Sequence, residues 1–205
     1  MLKYGTLVTH SQPGGQTQAM ELLDIVDENG TPVGKTVERR IAHQQGIRHR
    51  TSHVWIVRKH CGKIQLLLQK RSGNKDSFPG CYDISSAGHI PSGENFTESA
   101  LRELEEELGV QAAAEELVYC GQRRFEYRKM FHGEDFWDNQ VSNVYLLWKD
   151  VEPAVLHLQE SEIEAVLWMN LDRCFDMVTH DTGPNCIRMD ELKMVASAIG
   201  GQKAE

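Results

Sequence analysis

The chain has 205 residues, 40% of them hydrophobic and 25% charged, with a formal net charge of −8; this suits one soluble domain with a real core. Six glutamates and one arginine in residues 88–110 carry most of the negative excess, so the remainder is only mildly acidic and a general nucleic-acid-binding surface is not expected. Five widely spaced cysteines without a Cys-x-x-Cys pair argue against a disulfide framework or a zinc site and for a reducing, cytoplasmic setting, and no apolar run approaches a membrane span.

Residues 1–20 contain PGG and several Gln and Thr without periodicity or a long apolar run, and read as a loose extension. Met20, just before ELLDIVD, is a candidate alternative start. Residues 21–205 read as one domain. ELLDIVDENGTPVGKTVERR (21–40) reads as a hairpin turning at Asn29-Gly30. HVWIVRK (53–59) and IQLLLQKR (64–71) read as strands joined through HCGK, followed by a polar loop, SGNKDSFPG (72–80). YDISSAG (82–88) reads as a short strand. Gly88, Pro91 and Gly93 keep the next stretch irregular. A helix then starts at Asn95, with Glu98 completing a capping box, and stops at Gly109; Leu101, Leu104 and Leu108 share one of its faces. Strands follow at 117–125, 140–148 and 164–169, and helices at 172–181 and 189–200. The expected class is α/β with a largely mixed sheet.

At about 100° per residue, Glu103, Glu106 and Glu107 fall together on the helix, opposite the leucine stripe. Arg102 can offset one charge, through Glu106 or Glu98, but not all of them. A solvated acidic face is the plain alternative. A hard divalent cation such as Mg2+ would resolve the repulsion, since it takes oxygen ligands and binds phosphates at the same time.

The full pattern is Gly88, five residues, Glu94, seven residues, then Arg102-Glu103-Leu104-Glu105-Glu106-Glu107-Leu108-Gly109-Val110. It resembles the Nudix box, Gly-x5-Glu-x7-Arg-Glu-U-x-Glu-Glu-x-Gly-U with U apolar, at every specified position. The resemblance implies the Nudix fold, an α/β/α sandwich with a mixed β-sheet. It also implies Mg2+- or Mn2+-dependent cleavage of a diphosphate linked to another group, such as a nucleoside diphosphate derivative. Glu103, Glu106 and Glu107 would ligate the metal, Glu103 would help deprotonate water, and Arg102 and Glu94 would brace the site. A homodimer is common in the family.

QKRSGNKDSFPGCYDISSAGH (69–89) is also similar to the isopentenyl-diphosphate isomerase-like branch of the family. Isomerases of that branch carry proton transfer on a cysteine just before the box glycine and on a glutamate in a later strand. Here those positions hold Ala87 and Gln140, which cannot supply an acid and a base, and Cys81 lies too early. Hydrolysis is therefore the leading expectation; isomerase activity and a non-catalytic nucleotide-sensing module are the alternatives.

By the same resemblance Arg71 and Lys75, and more weakly Arg39, are expected to meet the substrate diphosphate. His43, His53 and His89 are candidates for the isomerase branch's separate metal site, or are structural. Phe125, Tyr127, Phe131, Phe136 and Trp137 either stack on a nucleobase or pack the core and loops. Glu160, Glu162 and Glu164 are either solvated or a further ligand or base.

Overall fold

The computed structural model describes residues 21–201; the extension at residues 1–20, with Met20, lies outside them. Strands β1 (Leu22–Val26) and β2 (Pro32–Glu38) form the expected hairpin. Asp27 Oδ1 accepts from the Asn29 and Thr31 amides at 2.8 and 2.9 Å and shapes the turn. Helix α1 (Arg39–Gln45) then follows, where the sequence pattern had shown only the end of the hairpin. Its stop signal is Gly46, at φ 63°, whose N–H bonds the Ala42 carbonyl. A Cβ there would lie 2.2 Å from the Trp137 ring, so that ring covers the cap.

Strand β3 (His49–His60) begins four residues earlier than expected and turns into β4 (Lys63–Arg71). Cys61 and Gly62 both have positive φ, which suits the twist of a tight hairpin. YDISSAG does not form one strand: it splits into β5 (Tyr82–Asp83) and β6 (Ser86–His89). Ser85 causes the break, because its hydroxyl donates to the Leu67 carbonyl at 2.6 Å and accepts from the Ile56 amide at 2.7 Å. Helix α2 (Phe96–Leu108) carries the glutamates.

The largest departure from expectation is the hairpin of β7 (Leu117–Phe131) and β8 (Glu134–Trp148). The sequence pattern stopped the first strand at Phe125 and began the second at Gln140. The ladder instead continues from Phe125↔Gln140 to Phe131↔Glu134. The chain then runs through β9 (Ile163–Asn170), α3 (Leu171–His180) and α4 (Met189–Gly201).

The main sheet has the order β5-β4-β3-β8-β7, with β6 beside β3 and β9 beside β4. β3 and β8 are parallel and the other pairs antiparallel, so the sheet is mixed. Its strands alternate between two cores. Trp55, Val57, Leu66, Leu68 and Leu146 meet α3 and α4 on one face. Val54, Ile56, Leu67 and Leu147 meet Ala100, Leu104 and Leu108 of α2 on the other. Helices cover both faces, as in the expected sandwich. Among the described residues no helix is long and apolar enough to cross a membrane.

Candidate active site

The capping box forms as expected. Asn95 Oδ1 accepts from the Glu98 amide at 3.0 Å and Glu98 reaches back to the Asn95 amide. Glu98 is thereby committed to the cap and does not pair with Arg102. The helix packs against β6, where Gly88 stands beside Ser52 of β3. A Cβ on Gly88 would lie 2.1 Å from Glu103 Cδ, so the box glycine clears the space that this carboxylate fills.

The three glutamates are not equally placed opposite the leucine stripe. Glu106 is 54% exposed, Glu103 16% and Glu107 only 4%. The reason is angular: Glu107 stands about 60° from Leu104 at three residues' separation, and so borders the buried face. Burial pushes the Glu107 carboxyl up to about 8, with nearby Glu103 adding to the effect. Burial likewise lifts Glu103 to about 6, against the pull of Arg102. Ser86 of β6 is close enough to pull the Glu107 carboxyl back down in part, but by hydrogen-bond geometry both Ser86 Oγ and Glu107 Oε2 are buried without a partner among the described residues. Two crowded, desolvated carboxylates with an orphaned oxygen fit a divalent cation, which would supply the missing bond and the counter-charge.

Arg102 braces this face. Its Nη1 lies 3.0 Å from Glu103 and 2.9 Å from Glu106, its Nε donates to Glu94 at 3.3 Å, and its Nη2 donates to the His89 carbonyl. Glu94 also accepts from Ser99 Oγ at 2.8 Å, so it holds the arginine and the first turn of α2.

The glutamates open onto a cavity of about 1210 Å³. Arg39, Arg71 and Lys75 line it too, each paired with an acid: Arg39 with Glu21, Arg71 with Asp83, and Lys75 with Glu162. Arg71 also donates to the Ser77 carbonyl and so pins the 72–80 loop. Of the three later acids, only Glu162 lines the cavity; Glu164 pairs with Lys70 and Glu160 is exposed. Ala87 and Gln140 line it as well. The cysteine among its described lining residues is Cys186, whose thiol donates to the Tyr82 carbonyl at 3.6 Å.

The aromatic residues form another wall. Phe125, Tyr127, Phe131 and Phe136 line the cavity from the outer half of the β7–β8 hairpin and pack on one another, and Tyr127 and Phe131 meet Phe78 of the 72–80 loop. Trp137 faces the other way and donates to Glu126.

The histidines group differently from the expected trio. The Nε2 atom of His43 is 3.4 Å from that of His49 and 3.1 Å from that of His89. His49 Nδ1 donates to the Ile47 carbonyl at 2.9 Å, which turns its Nε2 lone pair inward. Burial holds His43 at about 3 and His49 at about 4, both neutral. Asp138 Oδ1, buried and without a hydrogen bond among the described residues, lies 3.7 Å from His49 Nε2. These groups can hold a cation. His53 is not among them. It bonds Glu191 of α4 at 3.0 Å, and that charge outweighs its burial and raises its pKa.

Sequence reasoning missed His49, Arg123, Asp138, Arg188 and Glu191, all close to or within this cavity. Starting β3 at His49 would have placed His49, Thr51 and His53 on one face by period-2 alternation. Glu191 accepts from Trp55, His53 and Arg123, while Arg123 also bonds Asp190. Nothing local in the sequence links these elements.

Residues 47–184 match the NUDIX domain family. An uncharacterized Nudix hydrolase of Clostridium acetobutylicum is 36% identical over 152 residues, which is 74% of this chain and 71% of that protein. Nudix hydrolase 3 of Arabidopsis thaliana is 37% identical over 155 residues, 74% of this chain but 19% of that longer protein. Among solved structures, the Deinococcus radiodurans protein DR0079 superposes with a TM-score of 0.61 at 21% identity, covering 86% of this chain and 98% of that one. The NUDIX domain of Shewanella oneidensis NrtR, complexed with ADP ribose, superposes at 0.53 with 16% identity, covering 73% and 87%. At these identities the structural likeness speaks for the fold.

Proposed function

Because the chain belongs to the Nudix hydrolase family, we propose that it is a metal-dependent pyrophosphohydrolase that cleaves a diphosphate linked to another moiety, such as a nucleoside diphosphate derivative. The observation that carries this is the buried, unpartnered Glu107 Oε2 beside Glu103 on the box helix, facing a cavity. Glu103, Glu106 and Glu107 would hold Mg2+ or Mn2+. When bound, the cation supplies polarisation of a phosphoryl oxygen and a lowered pKa for water. Glu103, steered by Arg102, accepts the proton of the attacking water. Arg102 keeps Glu103 and Glu106 aligned, and Glu94 keeps Arg102 in place. Arg71, Lys75 and Arg39 would offer donors to the diphosphate, each shared with the acid it pairs with in the unliganded protein.

The test is a panel of nucleoside diphosphate derivatives, ADP-ribose and diadenosine tetraphosphate among them, with Mg2+ or Mn2+, read by the phosphorylated products formed. E106Q and E107Q are expected to lose more than about a hundredfold in turnover, since each removes a ligand charge rather than an outer-shell contact. Full activity in either variant, or no turnover across the panel, would overturn the assignment. Isomerase activity is disfavoured by Ala87, which places a methyl group in the cavity lining where that chemistry needs a thiol; formation of dimethylallyl diphosphate from isopentenyl diphosphate would reverse this. Tight nucleotide binding without turnover would favour a sensing module.

A further inference from the structure

Seven cationic side chains line the large cavity, and six of them pair with carboxylates. Arg188 is the exception: among the described residues no acid forms an ion pair with it. It is nonetheless held in place. Its guanidinium stacks 4.5 Å from the Phe125 ring centroid and 5.6 Å from that of Tyr127. Its carbonyl accepts from the Leu192 amide at 3.0 Å, and neighbouring Ile187 is 5% exposed. The buried Glu191 cluster fixes the start of α4 just after it.

A second observation lies under this arginine. Tyr127 Oη is buried and has no hydrogen-bond partner among the described residues, although Tyr127 lines the cavity. Buried hydroxyls normally find partners, and this one has a proton to donate. Asp138, across the ladder from Tyr127, is near enough to act electrostatically on both Tyr127 and Arg188, yet it makes neither an ion pair with Arg188 nor a hydrogen bond with the Tyr127 hydroxyl; its Oδ1 lies 3.7 Å from His49 Nε2. A stacked, unpaired guanidinium and a phenol O–H therefore present donors from the aromatic wall, while the glutamates lie on α2. The complement of two such donors is an oxyanion. The cavity, at about 1210 Å³, exceeds the roughly 300–1,000 Å³ of ordinary ligand sites, and so has room for a ligand that extends past the glutamates to this wall.

We propose that Arg188 and Tyr127 form a second anion site that takes a phosphate group of the substrate, a phosphomonoester separate from the diphosphate that is cleaved. The role of that phosphate as part of a substrate rests on the hydrolase reading; the site itself needs neither metal nor turnover. Arg188 would then act in specificity, selecting substrates that carry the extra phosphate.

The experiment is a calorimetric titration of the full chain with inorganic phosphate in the presence of a chelator, where the bare glutamate face repels phosphate. Saturable binding is expected in the wild type and in E106Q. R188Q should weaken it at least about tenfold, the scale of one charge-assisted contact. R188K should retain part of it, keeping charge but losing the planar stacked fork. Y127F should weaken it several-fold without lowering Tm, because that hydroxyl bonds nothing in the unliganded protein. Absence of phosphate binding in the wild type would overturn the proposal. So would unchanged affinity in R188Q, which would put the phosphate on Arg71 or Lys75 instead. Either failure leaves metal-dependent hydrolysis untouched, and loss of hydrolysis on the substrate panel leaves this titration untouched.

Discussion

At the scale of single residues, the site depends on a missing side chain as much as on charges. Gly88 has an ordinary backbone conformation, so its role is space rather than flexibility. In G88A the new methyl group would meet Glu103 2.1 Å from Cδ. The carboxylate, at the end of a rotatable side chain, can swing away more easily than the strand can move. G88A is therefore expected to fold with nearly wild-type Tm and, on the proposed role of Glu103, to lose at least about tenfold in turnover, in line with the cost of misplacing a catalytic group. Parallel thermal melts and assays check this; a collapse of Tm with normal specific activity would refute it. The box itself was legible residue by residue, because its spacing encodes a loop, a cap and a helix. Burial was less legible. The sequence spacing put three glutamates together, but Glu107 sits on the margin of the apolar stripe, and only packing against β6 shows which of the three is desolvated.

At the scale of elements, short-range signals served well and long-range ones did not. The Asn29-Gly30 turn, the Cys61-Gly62 turn and the Asn95 to Gly109 helix all follow from local chemistry. The outer half of the β7–β8 hairpin carries aromatics and charges on both faces, Asp138 and Glu134 among the cavity-lining residues and Trp137 outside, and its many polar residues hid the strand. The anchoring of α4 was equally hidden, since Glu191 meets His53 and Trp55 from 138 and 136 positions away. That anchor should dominate the stability of the α4 end. E191A leaves His53 and Arg123 buried without their shared carboxylate, which costs about 3–5 kcal/mol and lowers Tm by roughly 6–20 °C for a chain of this size. Circular dichroism melts test this, and E191Q, which keeps an acceptor for Trp55 without the charge, should fall in between.

At the scale of the whole molecule, the fold class was legible because alternating apolar strands and amphipathic helices imply a covered sheet, whereas the order of its strands was not. Charge also sets a global property. In the metal-free protein Glu107 holds its proton to about pH 8, against 4.5 for an unperturbed glutamate. The folded state therefore binds more protons than the unfolded state in that interval, and this contribution to stability falls as pH rises. Below pH 6.5 the neutral His43 and His49 act in the opposite direction, because the unfolded chain then takes up protons that they refuse. Between pH 6.5 and 8 the falling trend should stand clear: Tm of the chelated protein decreases, and the proposed ligation by Glu103 and Glu107 predicts that the gain in Tm on adding Mg2+ grows, since such a site needs both carboxylates ionised. A pH-independent metal effect would contradict the burial of Glu107. The parallel pairing of β3 and β8 has a kinetic consequence. Thr51 and Ser142 share a 2.7 Å hydrogen bond across 91 positions of chain, and the glutamate helix lies inside that span. Hairpins and the capped helix can form locally, but the two walls of the cavity meet only once this long loop closes, the slow step of such topologies. In a refolding experiment, far-UV dichroism should recover first, and the ability to bind Mg2+ should return only with the slower phase.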